Sequence, residues 1–222
     1  MTVRRLLLAR HGQTGHNSER RFTGWADPSL TSRGKAEARA LGRRLRDERI
    51  DAVYSSDLSR TAETAALAMA KHPASRQGFA VVRDPALREA NFGEWQGLTF
   101  DEARERDPAT AAALLARSID FCAPGGETIP QVHSRVGDFL NRLHQRHDGD
   151  TILVIASGGP LQILVAGLFG MPVEAHWRLA LNNCALTTIN FVQDEPILTR
   201  LNDRCHLEHL YRRDRIAETS AT

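Results

Sequence analysis

The chain alternates short unbroken apolar runs with longer stretches in which apolar positions recur every three or four residues. Leu6-Leu7-Leu8-Ala9 has the uniformity of a strand buried on both faces. From Thr31 to Glu48, Ala36, Leu41 and Leu45 fall on one face with arginines elsewhere, which predicts an amphipathic helix. Ala52-Val53-Tyr54 predicts a second strand, Ser59 to Lys71 an alanine-rich helix ended by Pro73, and Ala80-Val81-Val82 a third strand. Thr99-Phe100-Asp101-Glu102 has the form of a capping box, with a helix expected from Ala109 to Arg117. Thr128 opens another helix, in which Val132, Val136, Phe139, Leu140 and Leu143 share one face. Thr151 to Ala156 is a further strand, and Pro160 to Phe169 the helix after it. Leu186 to Val192 and Ile197 to Leu201 read as a hairpin turning across Asp194-Glu195-Pro196.

Strands that alternate with helices imply an α/β fold, a three-layer α/β/α sandwich with a mostly parallel sheet. Ligands of such sheets sit beyond the carboxyl ends of the strands. Two strand ends carry reactive or glycine-rich residues. Leu8-Ala9 runs into Arg10-His11-Gly12, and Ile155-Ala156 runs into Ser157-Gly158-Gly159.

Composition narrows the field. The 222 residues, 41% hydrophobic and 25% charged, suit one globular domain. A net charge of +2 gives no bulk attraction to nucleic acid. Three cysteines, Cys122, Cys184 and Cys205, are too few and too widely spaced for a disulfide framework or a zinc site. The apolar run before Arg10 is too short for a signal peptide, and no stretch approaches the roughly 20 residues of a membrane span. A soluble cytoplasmic protein with no membrane partner is expected. The charged segment after Leu210 is expected to fray.

A histidine at a strand end beside an arginine can attack phosphorus while the guanidinium holds the oxygens. Arg10-His11-Gly12 taken alone reads more readily as a surface loop. Further segments change that weighting: "LLLARHGQTGHN" (6–17), "FTGWADPSLTSRGKAEA" (22–38), "VYSSDLSRTAETA" (53–65), "LREANFGEWQG" (87–97), "PGGET" (124–128) and "LNDRCHL" (201–207). In this order they resemble the histidine phosphatase superfamily, the phosphoglycerate mutase-like proteins, over nearly the whole chain.

The resemblance implies a single domain over residues 1–210, with a small helical cap inserted at about 90–125 and a tail at 211–222. It implies that His11 is the nucleophile and becomes a phosphohistidine, that Arg10 and Arg60 spread the phosphoryl charge, and that Glu89 is the acid/base. Asn17, Thr23, Gly24 and Gly158 join the arginines as phosphate contacts. No cofactor and no metal are expected, because arginine and imidazole supply the positive charge. The partner implied is a small phosphorylated metabolite, with a homodimer left open.

One position departs from the pattern. The family carries a second histidine where "VIASGGPL" has Ser157. Serine is shorter, neutral and a weaker donor, and losing one aimed donor costs on the order of 10²–10³ in rate. Ser157 is not itself placed as a nucleophile, because Ile155 stands where a G-x-S-x-G elbow needs glycine. Two origins stay open: an engineered change that traps a ligand or stops turnover, or a natural residue marking a slow phosphatase or a phosphate-ligand binder. His16, next to Asn17, could project into the same crevice or sit in a solvated loop.

Within the family, Arg88-Glu89-Ala90-Asn91-Phe92-Gly93-Glu94-Trp95 with a short cap resembles the phosphatase branch, which includes the α-ribazole and broad-specificity phosphatases. The expected activity is therefore that of a histidine acid-type phosphatase, a phosphomonoester hydrolase. "RFTGWADPSLT" keeps a phosphoglycerate mutase-type phosphotransferase as the alternative, and Ser157 keeps a non-catalytic phospho-ligand binding protein as another. Phe92, Trp95, Phe100 and Phe121 are candidate walls of the substrate pocket or parts of the cap core.

Overall fold

The computed structural model describes residues 3–77 and 80–211. Six strands form one sheet: β1 (Arg5–Arg10), β2 (Ala52–Ser55), β3 (Val81–Arg83), β4 (Thr151–Ala156), β5 (Leu186–Val192) and β6 (Glu195–Asp203), in the spatial order β3-β2-β4-β1-β5-β6. The first four strands of that order run parallel, and β5 and β6 close one edge antiparallel.

The apolar run of β1 serves both sides of this sheet. Leu6 and Leu8 enter one core with Val136, Phe139 and Leu161, whereas Leu7 and Ala9 enter the other with Leu41, Leu45 and Ala65. That is the period-two alternation of a strand covered on both faces. The covering helices are α1 (Gly15–Ser18), α2 (Ser32–Arg44), α3 (Ser59–Met69), α4 (Phe100–Arg106), α5 (Pro108–Leu115), α6 (Ile129–Arg146) and α7 (Gly158–Leu168). No helix among the described residues is long and apolar enough to cross a membrane.

Several sequence expectations are refined. The capping box forms at Thr99 and Glu102, but it opens a helix of its own, α4. Asp107 then caps α5 by accepting the Thr110 N–H at 3.0 Å, so two short helices occupy this stretch. Helix α7 begins at Gly158, two residues before Pro160, which still lies in the first turn where its missing N–H is harmless. The hairpin turns at Gln193 and Asp194, both left-handed with φ of 52° and 67°, and Glu195 and Pro196 already belong to β6. Pro196 is tolerated there because β6 is an edge strand.

Helices α4 and α5 stand over a third small core of Trp95, Ala103, Ala111, Phe121 and Ala123. Trp95 is 2% exposed and Phe100 packs against this cluster, so both act as packing residues here. At the other end of the chain, Tyr211, where the frayed tail was expected to begin, is docked. Its hydroxyl donates to Glu37 Oε1 at 3.1 Å, and the guanidiniums of Arg33 and Arg204 lie over its ring. Residues 212–222, the rest of that expectation, lie outside the described residues.

Candidate active site

Parallel pairing of β1 with β4 sets Arg10 beside Ala156, and the His11 N–H donates to Ala156 O at 3.0 Å. The two loaded strand ends therefore open side by side. Residues 11 and 157 meet at the head of the sheet although 146 positions separate them in sequence.

His11 is 2% exposed. Its Nδ1 lies 2.8 Å from Gly12 O. A carbonyl can only accept, so Nδ1 carries the proton and Nε2 keeps its lone pair. Burial, then Arg10, then Arg60 hold the imidazole well below its usual pKa, against a smaller opposing effect of the Gly12 hydrogen bond. At neutral pH the ring is uncharged, as a nucleophile must be.

The two arginines come from different directions. Arg10 ends β1 and donates to Leu181 O at 3.1 Å. Arg60 sits in the first turn of α3 with its side chain fully buried, donating to Ala26 O and Gly24 O, each at 2.7 Å. Arg60 Nη2 also lies 3.4 Å from Ser157 Oγ. Burial lowers the pKa of both guanidiniums, opposed first by the nearby Glu89 carboxylate, yet an arginine remains charged. Their Nε–H groups are buried with no protein partner among the described residues. Buried charged donors of this kind are costly unless something accepts from them, and an oxyanion does so best.

Glu89 closes the group. Its carboxylate accepts from Ala90 N at 3.0 Å and from Gly159 N at 3.3 Å. A Cβ at residue 159 would collide with Glu89 Oε1, so glycine is needed for that approach. At Gly158 a Cβ would meet the Arg10 guanidinium only at an ordinary 3.7 Å, so the glycine leaves room beside it. Ser157 is the N-cap of α7 but makes no side-chain cap hydrogen bond. Its buried hydroxyl turns to Arg60 instead, an unusual use of a residue type favoured for capping.

The remaining expected contacts fall around this centre. Asn17 completes a capping box with Thr14 on α1, and its Oδ1 accepts from Asn183 Nδ2 at 3.3 Å. Gly24 enters by giving its carbonyl to Arg60, and the buried Thr23 precedes it in the same loop. His16 is half-buried on α1, with Nδ1 unpartnered among the described residues.

Sequence reasoning missed a set of positioning residues. Asn183 Nδ2 donates to His11 O at 2.8 Å. Thr64 Oγ1 accepts the Gly12 N–H at 3.0 Å and donates to Arg60 O at 2.7 Å, tying the His11–Gly12 loop to α3. Arg135 donates to Glu89 O at 3.0 Å and pairs with Glu127 at 2.9 Å, while Trp25 Nε1 donates to Glu89 O at 2.9 Å. "PGGET" was visible as a motif, but the partner of its glutamate, eight residues on along α6, was not.

A cavity of about 210 Å³ adjoins Arg10, Glu89 and Gly158, with Phe92 and Phe121 among its walls. Those two aromatics, and not Trp95 or Phe100, therefore meet the candidate alcohol side. A larger groove of about 800 Å³ between α2 and α3 is lined by neither Arg10 nor Glu89 nor Gly158, so chemistry and not size assigns the site.

The arrangement makes one expectation immediate. Arg60→Ala should weaken competitive vanadate or phosphate binding by about tenfold or more, since it removes a buried charged donor. Arg39→Ala, on the exposed face of α2, should leave it unchanged. Titration of both variants checks this, and equal effects would remove Arg60 from the site.

The sequence model described as histidine phosphatase superfamily (branch 1) matches residues 6–204. Phosphoserine phosphatase 1 of Hydrogenobacter thermophilus is 29% identical over 207 residues, covering 93% of this chain and 96% of that one. The 2,3-bisphosphoglycerate-dependent phosphoglycerate mutase of Brucella anthropi is 36% identical over 206 residues, with 90% and 93% covered. Among solved structures, the alpha-ribazole phosphatase of Shigella flexneri superposes with a TM-score of 0.83 at 30% identity, covering 90% of this chain and 96% of that one.

Proposed function

Because the chain belongs to the histidine phosphatase superfamily, branch 1, we propose that it hydrolyses small phosphate monoesters through a phosphohistidine at His11. The observation that carries this reading is the buried neutral imidazole, protonated at Nδ1 and flanked by Arg10 and Arg60. Nε2 attacks the phosphorus while the two guanidiniums hold the equatorial oxygens. The P–O bond to the alcohol breaks, and Glu89 gives the departing oxygen its proton. Water then attacks the phosphohistidine, Glu89 takes back a proton, and phosphate leaves with His11 restored. Positive charge for both steps comes from the arginines, so the reading calls for no metal or cofactor.

Ser157 is read as the reason for a slow enzyme. The family resemblance sets a donor at this position, and the hydroxyl here is engaged with Arg60. The free thiols among the described residues accord with a cytoplasmic setting.

The test uses phenyl phosphate. Phosphate release, together with an acid-labile phosphoenzyme trapped by rapid quench, is the expected result. Binding without release or labelling would leave a phospho-ligand binding protein instead. A mutase-type transferase is the second reading, favoured by the 36% identity to the Brucella anthropi protein. Transfer from 2,3-bisphosphoglycerate to 3-phosphoglycerate faster than hydrolysis would establish it.

A further inference from the structure

The cavity beside Glu89 carries polar atoms that the hydrolysis does not use. His176, on the short helix Val173–Arg178, lines it and is 2% exposed. Its Nδ1 donates to Val173 O at 2.6 Å, so the uncharged ring keeps a lone pair on Nε2. Burial lowers the pKa of this histidine, opposed by the Val173 carbonyl and by Glu89, so the neutral ring prevails at neutral pH. Gln162 lines the same cavity and donates its Nε2 to Leu179 O at 2.5 Å, which fixes the amide and leaves Oε1 as its other polar atom. Phe92, Phe121, Ile163 and Trp177 supply apolar wall. Arg10 is the one cation among the described lining residues, and the reaction commits it to the phosphoryl group.

We propose that His176 determines specificity. Its Nε2, with Gln162 Oε1, receives hydrogen bonds from the alcohol part of the substrate. The pair selects phosphate monoesters whose alcohol bears hydroxyl donors and no second anion. This rests on the phosphatase reading for the position of the alcohol next to Glu89. An anionic alcohol would be stripped of water against the two acceptors, with no cation to spare. An alcohol lacking donors would strand both acceptors in a largely apolar cavity. A volume of about 210 Å³ holds roughly seven waters at ~30 Å³ each, room for a short polyol or one sugar ring.

Three esters test this. Glycerol 3-phosphate and 3-phosphoglycerate differ only in a hydroxymethyl group against a carboxylate, and the alcohol of phenyl phosphate bears no further donor. Wild-type kcat/KM should favour glycerol 3-phosphate over 3-phosphoglycerate by about tenfold or more. His176→Phe keeps a flat ring without nitrogens. It should lose about tenfold on glycerol 3-phosphate, chiefly in KM, while holding or raising the rate on phenyl phosphate. His176→Gln, which restores an acceptor, should recover part of that loss. Equal losses on both esters, no loss on either, or a wild-type preference for 3-phosphoglycerate would overturn the proposal. If the wild-type protein releases phosphate from none of the three, the phosphatase reading fails by itself. Calorimetric Kd values for the same esters on wild type and His176→Phe then read the selectivity independently, and unchanged ratios would overturn it.

Discussion

His11→Ala is expected to abolish acid-labile phosphorylation and to cut phosphate release from phenyl phosphate by about three orders of magnitude or more. No other group in the site combines a lone-pair nitrogen with two flanking guanidiniums. The substitution is also structurally lenient. Among the described residues the imidazole bonds to its neighbour Gly12 alone, while the strand-end backbone is held independently by Asn183 and Ala156. Circular dichroism and retained vanadate binding would show that the pocket survives. Labelling that persists at another residue would remove His11 from its role.

The second large effect runs upward. Ser157→His should raise turnover of phenyl phosphate by at least about tenfold, equivalent to about 1.4 kcal/mol of transition-state stabilisation. Three features favour the gain. The Ser157 hydroxyl does not cap α7, so replacing it forfeits no cap. Gly159 lets the Glu89 carboxyl group stay in place beside the turn. Residue 157 already faces Arg60, so an imidazole there points an N–H toward the group the guanidiniums hold. With a dianionic phosphoryl group bound, the repulsion between these cations is offset and the added donor strengthens as charge develops. Both variants need equal thermal stability for the comparison, since residue 157 is fully buried. A folded variant no faster than wild type would mean that the serine is not what limits the reaction.

The sequence reading and the structure agree where the signal is local. A run such as Leu6-Leu7-Leu8-Ala9 is uniformly apolar because both faces of β1 are covered, and that can be read without knowing what covers them. The Thr99–Glu102 capping box spans four residues, and it forms as written. The hairpin turn slipped because Asp194-Glu195-Pro196 has turn composition, whereas the left-handed pair is Gln193 and Asp194. Composition locates a turn only to within a residue or two.

What the sequence by itself determined is the succession of strands and helices, the α/β class, and the two strand ends that carry Arg10-His11 and Ser157-Gly158-Gly159. The family motifs added Arg60 and Glu89 as candidates. Only the tertiary structure decided that β4 lies next to β1, which sets residue 157 beside His11. It also decided that Arg60 turns its buried guanidinium on Gly24 and Ser157, and that Arg135 and Trp25 hold the Glu89 carbonyl. His176 shows the limit most clearly. In sequence it is one histidine in an unremarkable stretch, and its chemistry arises from packing beside Glu89 and Gln162. Periodicity reports whether a side chain is buried, because burial repeats with the geometry of a single element. Which groups then share a cavity depends on how elements distant in the chain pack together, and no local pattern carries that information.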